Sequence, residues 1–317
     1  MSFVGGGSDL PNFYRLHGGA VLSTAIDKYI YVSVNRHFNG GIRVAYSRTE
    51  EVEQLNEVEH PLVRTTMELL GLQGGVEITT TADIPSRGTG LGSSSTFTVG
   101  LIQVLSAYLG RHVSAAELGR MSCEIEIDRC GEPIGKQDQY AAAYGGLNLI
   151  EFNPDDSVNV MPLILPKQSL KALEERILVF YTGITRSASG ILAEQSATVA
   201  DDATKQAMLK RMVALTYQLR DELHQGRLDS VGGILDENWS LKKGLAAGIS
   251  NGAIDDWYIA AKSAGALGGK LLGAGAGGFL MFYAPVERHE AIAREIKLHR
   301  VPLSFEPLGS RILFYNP

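Results

Sequence analysis

The sequence predicts two domains, each mixing helices and strands. Three observations carry this. The chain has 317 residues, more than one core usually organises at roughly 100–200 residues per domain. Period-2 and helical apolar spacings interleave in both halves. A loose, Pro-punctuated stretch from Pro154 to Pro166 separates them, which places the boundary near residue 166 and the domains at 1–166 and 167–317.

The elements follow in order. Tyr29 to Val34 alternates, with Ile30, Val32 and Val34 on one face, as a half-buried strand does. Gly41–Ser47 reads as its hairpin partner, turned by Asn39-Gly40-Gly41. His60–Leu70 is a short helix and Val76–Ala82 a Thr- and Ile-rich strand. Pro85 to Ser95 is a Gly- and Ser-rich run that opens a helix reaching Leu109. Ser114 followed by Glu117 is a capping box, and its helix sets Leu118, Met121 and Ile125 on one face. Breakers at Gly131–Gly135 precede Lys136–Tyr140, then Gly145-Gly146 and the strand Leu147–Phe152.

The second half restarts with the strand Ile177–Thr182. Helices are expected at about 187–200, 203–224, 227–240 and 253–266. Met208, Met212, Leu215, Leu219 and Leu223 make a stripe at helical spacing that reads as core. Gly268–Gly278 leads into the strand Phe279–Tyr283; a further helix and a last strand, Ile312–Tyr315, close the chain.

Composition excludes several classes. Hydrophobic residues make up 44% and charged residues 20%, a globular balance. The net charge of -6 argues against nucleic-acid or anionic-membrane binding. The two cysteines, Cys123 and Cys130, lack a second ligand pair, so neither zinc nor a disulfide framework is expected. No signal-peptide pattern opens the chain, and the apolar stretches Thr96–Leu109 and Leu271–Ala284 are too short to span a bilayer. The expectation is a cytoplasmic protein, monomer or homodimer, acting on a small molecule.

Gly fills 36 of 317 positions, against a usual ~7%, and clusters in three loops: Gly5-Gly6-Gly7-Ser8-Asp9, Gly88 to Ser95, and Gly273 to Gly278. The second lies between a strand and a helix, where glycine lets backbone approach an anion and the helix start offers free N–H groups. The Walker pattern Gly-x4-Gly-Lys is absent. Gly273, Gly275 and Gly278 have dinucleotide-fingerprint spacing but run into a strand, which removes the support for a Rossmann oxidoreductase. Three such loops favour nucleotide phosphate over simple turns.

Phosphoryl transfer also needs a metal and a group that orients the nucleophile. Ser94 lies just inside the helix start. Glu124, Glu126 and Asp128 form an acidic trio on the next helix; a solvated face suits Asp128. Asp138 follows the breakers and precedes the small run Ala141–Ala143, where it reads either as a general base or as a helix N-cap.

These residues resemble the small-molecule kinases named for galactokinase, homoserine kinase, mevalonate kinase and phosphomevalonate kinase. Pro85-Ser86-Arg87-Gly88-Thr89-Gly90-Leu91-Gly92-Ser93-Ser94-Ser95 resembles their Pro-x3-Gly-Leu-Gly-Ser-Ser signature, and Lys270 to Gly278 their third motif. The resemblance spans essentially the whole chain. Gly5 to Pro11, Gly135 to Tyr140 with Gly145-Gly146, and Thr182 to Arg186 are most similar to the bacterial heptose 7-phosphate kinases, and L-fucose kinases share much of the pattern.

The resemblance implies an α+β, two-domain fold, with a ribosomal-protein-S5-like first domain, a ferredoxin-like second one, a left-handed β-α-β crossover and the site between them. It implies ATP and Mg2+. Pro85, Arg87, Gly88, Gly90, Leu91, Gly92, Ser93, Ser94 and Ser95 would wrap the nucleotide, Ser94 and Glu126 would hold the metal, and Asp138 would orient or deprotonate the acceptor. Gly7, Ser8, Asp9, Lys136, Gln137 and Gly275 would meet the sugar. Relatives open with a further strand carrying a Pro and a basic residue, so a truncated first strand or a misassigned start is expected at Met1–Val4.

The implied reaction is phosphorylation of a heptose 7-phosphate at its anomeric hydroxyl, towards nucleotide-activated heptose for surface glycans. A phosphorylated acceptor needs a second anion site. Arg186, between a strand and a helix, and Lys136, beside Asp138, are its candidates. The rivals are a fucose or related hexose kinase, a non-catalytic sugar sensor, which would lack Asp138 or Glu126, and a diphosphate decarboxylase of the same fold.

Overall fold

The computed structural model describes residues 1–84, 90–184, 190 and 202–316. The first half holds two sheets. β1 (Ser2–Val4), β2 (Gly19–Thr24), β7 (Leu147–Phe152) and β8 (Val158–Pro162) pair antiparallel in the order β1-β2-β7-β8. β3 (Ile30–Arg36), β4 (Ile42–Ala45), β5 (Thr49–Val52) and β6 (Val76–Ala82) pair in the order β3-β6-β4-β5. The second half adds β9 (Ile177–Tyr181), β10 (Gly268–Leu271), β11 (Phe279–Tyr283) and β12 (His299–Arg300), in the order β10-β11-β9-β12.

The expected hairpin between β3 and Gly41–Ser47 is corrected here. β6 lies between them, antiparallel to β3, while β4 runs parallel to β6 on its far side. β4 buries Ile42 and Val44 completely and belongs inside the sheet, whereas the half-exposed alternation of β3 is that of an edge strand. Gly75 N donates to Gly41 O at 2.9 Å, so the residues leading into β6 occupy the place that the hairpin would have used.

Helices α1 (Pro11–His17), α2 (Pro61–Leu70), α3 (Ser93–Tyr108), α4 (Ala115–Cys123), α5 (Gln137–Tyr144) and α6 (Lys167–Glu175) pack on these sheets. α3 is apolar around much of its surface because both sides are covered. Phe97, Leu101 and Leu105 join the core under β4 and β6, while Val99 and Ile102 meet Leu118 of α4. The predicted capping box forms: Ser114 Oγ accepts from Glu117 N, and Glu117 answers the Ser114 N–H at 2.9 Å.

In the second half, α7 (Ala203–His224), α8 (Ser230–Lys243), α9 (Gly252–Ser263) and α10 (His289–Ile296) follow, and the helix expected at 187–200 falls largely outside the described residues. Met212, Leu215, Leu219 and Leu223 of α7 are buried, with Met208 packed at the edge. One core spans both halves, joining Phe3, Leu22 and Leu149 to Leu215, Ile234 and Met281. Among the described residues, no helix is long and apolar enough to cross a membrane.

The expected strand Ile312–Tyr315 is corrected as well. β12 is the last strand among the described residues, and residues 311–316 are exposed and belong to no strand. After β12 the chain returns to the first half. Asp27 N donates to Ser304 O and Gly146 N to Glu306 O, each at 2.9 Å, and Ser310 N to Ala142 O at 3.0 Å. Backbone pairing stops there, so the apolar run that follows has no partner strand.

Candidate active site

A cleft of about 630 Å3 runs between β3, the start of α3 and the returning C-terminal segment. Met1, Leu91, Gly92, Ser93 and Asp138 line it, and so do Asn35 and Phe314.

Gly92 is the N-cap of α3, with φ 71°. Having no side chain, it leaves the first-turn N–H groups of a 16-residue helix uncapped, which suits an anion. A Cβ at Gly92 would stand 3.1 Å from Asp138 Cγ, so glycine is also what lets the carboxylate approach the loop. Gly90 packs against Gly273, the two loops from opposite halves touching backbone to backbone.

Asp138 sits in the first turn of α5, one residue past its start, so it is not the N-cap. Its side chain is exposed in the cleft. The dense protein around the cleft wall pushes its carboxyl above the usual range, the Asp9 charge adds to the push, and the Met1 amino group, Lys242 and Lys270 oppose it.

Asp9 is buried and fully fixed. Gly7 N donates to Oδ1 at 2.9 Å and Gln137 N to Oδ2 at 3.2 Å. A Cβ at Gly135 would fall 1.9 Å from Oδ2, so that position admits only glycine. Ser8 is fully buried and faces away from the cleft: its hydroxyl donates to Ala20 O and accepts from Ala20 N, both at 3.1 Å. It staples the glycine loop to β2. Gln137 directs its side chain at Gly6, and its Oε1 is buried without a partner.

Glu126 is 0% exposed. It lies in a π-helical turn, Glu124–Arg129, which follows α4 directly. Ser94 Oγ donates to its Oε1 at 2.6 Å and Gln139 Nε2 to its Oε2 at 2.7 Å. Burial pushes its pKa up, while the Ser94, Ser95 and Gln139 bonds pull it down. Glu124, by contrast, is held by Arg120 and Arg129, and Asp128 is exposed. A hydroxyl and a carboxylate side by side at the mouth of an anion loop form a hard-oxygen pair that fits Mg2+. Among the described residues, no cluster of three or more His, Cys, Asp or Glu side chains offers a metal site.

Other expected residues lie further out. Lys136 Nζ is engaged by Asp156, at 3.2 Å from its Oδ1, and rests 4.7 Å from the Tyr14 ring centre. Gly275 packs on the Ile249 backbone, where Ala276 N donates to Ile249 O at 3.0 Å. Leu91 packs at the edge of the shared core. Pro85, Arg87, Gly88 and Arg186 fall outside the described residues.

Sequence reasoning missed Lys242, and it took Lys270 only as part of a motif. Both are buried and both come from the second half. Lys242 Nζ donates to Gly6 O at 3.3 Å; Lys270 Nζ donates to Ser2 O at 3.0 Å and lies 3.4 Å from Ser2 Oγ. Asn238, one turn before Lys242 on α8, accepts from Gly5 N at 3.2 Å. Lys242 therefore grips the backbone of the first glycine loop and Lys270 that of β1, and both lie close enough to Asp9 and Asp138 to feel their charges. Burial pushes Lys270 down to about 7, the neighbouring Lys242 charge lowers it further, and Asp138 and Asp9 oppose this. Burial lowers Lys242 too, against the same two carboxylates. The available signal was a lysine on the apolar face of a helix, after Ile234, Leu235, Asn238 and Trp239, since lysine is almost never buried without a purpose.

Comparison with known proteins identifies the family. Residues 57–146 match the GHMP kinases N terminal domain and residues 219–299 the GHMP kinases C terminal domain, together more than half of the chain. D-glycero-alpha-D-manno-heptose 7-phosphate kinase of Campylobacter jejuni is 29% identical over 92% of this chain and 89% of that protein. A bifunctional fucokinase/GDP-fucose pyrophosphorylase of Arabidopsis thaliana is 26% identical over 94% of this chain, which spans 30% of that longer protein. The crystal structure of a D-glycero-D-manno-heptose 1-phosphate kinase from Bacteroides thetaiotaomicron superposes with a TM-score of 0.80 at 26% identity, covering 98% of this chain and 94% of that one.

Proposed function

This chain belongs to the GHMP kinases, and we propose that it is an ATP-dependent sugar kinase that phosphorylates the anomeric hydroxyl of D-glycero-alpha-D-manno-heptose 7-phosphate. The approach of Asp138 to Gly92 carries the reading, because it sets a carboxylate beside the loop where the phosphates would lie. The likeness to heptose phosphate kinases supplies the acceptor.

ATP supplies the phosphoryl group. Ser94 Oγ and the Glu126 carboxylate would hold Mg2+. The uncapped N–H groups of α3 bind phosphate oxygens. Asp9, locked by Gly7 and Gln137, holds sugar hydroxyls without reorganising. Asp138 takes the proton of the acceptor hydroxyl. The acceptor oxygen then bonds to phosphorus while the bond from phosphorus to the bridging oxygen breaks, its electron pair leaving with ADP. The raised pKa of Asp138 makes its carboxylate a stronger proton acceptor than that of an ordinary aspartate, while the Met1 amino group, Lys242 and Lys270 oppose that rise. Arg186 is the proposed anchor for the 7-phosphate, since Lys136 is already engaged by Asp156.

The test is ADP release with Mg-ATP across D-glycero-D-manno-heptose 7-phosphate, mannose 6-phosphate, L-fucose and galactose, with 31P NMR of the product. A new anomeric phosphate on the heptose phosphate alone is the expected result. Turnover of free L-fucose in its place would move the chain to the fucokinases. No turnover on any acceptor would sink the kinase reading.

A further inference from the structure

The C-terminal segment carries a feature that the transfer chemistry does not use. From Ser304 to Ser310 it is strapped to the first half. Ile26 and Phe305 form a β-bridge, Ser304 N donates to Asp27 Oδ1 at 2.9 Å, Glu306 N donates to Ala25 O at 3.1 Å, and the Ser310 hydroxyl reaches the Gln103 side chain on α3. Beyond Ser310 the chain is exposed and strongly apolar: Leu313 is 70% and Phe314 84% exposed, and Ile312 and Tyr315 stand beside them. A run of large apolar side chains held in water by an anchored backbone marks a place where something binds.

Position says what binds there. Ile312, Leu313 and Phe314 line the same cleft as Gly92, Ser93 and Asp138, and they follow Ser310, which bonds Gln103 ten residues along α3 from Ser93, so they lie away from the helix start; Tyr31 to Asn35 of β3 line the cleft with them. A ligand with its phosphates on the α3 start lays its non-phosphate end between these walls. That end is a flat, partly apolar ring, which suits apolar and aromatic side chains and not a sugar.

We propose that residues 311–314 form the outer wall of the nucleobase subsite, so that a strap from the far end of the chain closes the nucleotide cleft and holds the purine of the nucleoside triphosphate. The inference rests on the nucleotide-binding part of the proposed function and is independent of which sugar is phosphorylated. The wall side chains are exposed and the strap bonds lie before them, so replacing them leaves the core and the anchors intact.

The experiment is calorimetric titration of the full chain with ADP and with tripolyphosphate, which has phosphates and no base. The variants are Leu313→Ser combined with Phe314→Ser, and Phe314→Trp. The double serine variant is expected to bind ADP at least about tenfold more weakly, the worth of one good aromatic contact, with tripolyphosphate binding unchanged. Phe314→Trp is expected to retain ADP affinity and to show fluorescence quenching with ADP and not with tripolyphosphate. Equal weakening for both ligands would make the segment merely structural and overturn the proposal. Unchanged ADP binding would overturn it too; if the serine variant then also loses self-association, the patch belongs to a second copy of the chain. Absence of ADP binding by the unsubstituted protein would overturn both this proposal and the nucleotide reading. ADP binding as predicted with no turnover on any sugar would leave the wall standing and remove only the acceptor.

Discussion

The two halves bring opposite charges together around Asp138, which lines the cleft. Asp9 and Asp138 come from the first half, while the buried Lys242 and Lys270 reach them from the second. Neither half is well served alone. The first would hold Asp9 and Asp138 close together without the cations of the second. The second would hold two like charges side by side in a dry interior. Brought together, the lysines oppose the upward push on the Asp138 carboxyl, and Asp9 and Asp138 oppose the burial of the lysines. The site is thus a property of the interface, and the core shared by Leu22, Leu149, Ile234 and Met281 is what makes that interface permanent.

Removing the proposed base of the first half breaks the comparison most severely. Asp138→Asn should lower kcat by about 10²–10⁴-fold while ADP affinity by calorimetry stays put. Retained turnover would strip Asp138 of its role. Removing the second half's cation comes next. Lys270→Met should lower kcat by about 10²-fold, the usual cost of one charge-stabilising group, with Lys270→Arg recovering part of it. Because Lys270 is pushed down to about 7, its charge disappears as pH rises through that value. Turnover should therefore fall on the alkaline side of about 7, and Lys270→Arg should carry that limb upward.

Stability should move the other way. Lys270 ordinarily titrates at 10.5 and in the fold at about 7. Between those values the unfolded chain keeps a proton that the fold has shed, so this group makes stability rise with pH across that window. Below it the full burial penalty applies. Lys270→Met removes the penalty, so its Tm at pH 6 should equal or exceed that of the unsubstituted chain, read by calorimetry. A lower Tm would mean that the bond to Ser2 O outweighs the buried charge.

Smaller effects sharpen the contrast within the first half. Glu126→Gln should raise the Mg2+ concentration needed for half-maximal rate by about 10–100-fold; an unmoved titration would place the metal elsewhere. Ser114→Ala, outside the cleft, should cost about 1 kcal/mol of stability and leave kcat unchanged, since it removes only the cap of α4.

What could be read in advance follows the same division. Local structure was legible: the glycines that precede α3, the capping box at Ser114 and the α7 stripe are all written in neighbours in sequence. Pairing was not. β3 and Gly41–Ser47 look like a hairpin because alternation records which face is wet and not which strand is adjacent. Ile312–Tyr315 looks like a strand because an apolar run does not say whether it is buried by protein or waits for a ligand. Lys242 was hidden for a third reason. Its partners are Gly6 O and the carboxylates of the other half, more than a hundred residues away, so nothing beside it announces a site.

The most direct measurement is a double-mutant cycle on kcat between Asp138→Asn and Lys270→Met. If the two halves form one charged unit, the double variant should lose about as much as Asp138→Asn alone, because the lysine's benefit passes through that carboxylate. Losses that simply multiply would mean that the halves act independently and would contradict the account.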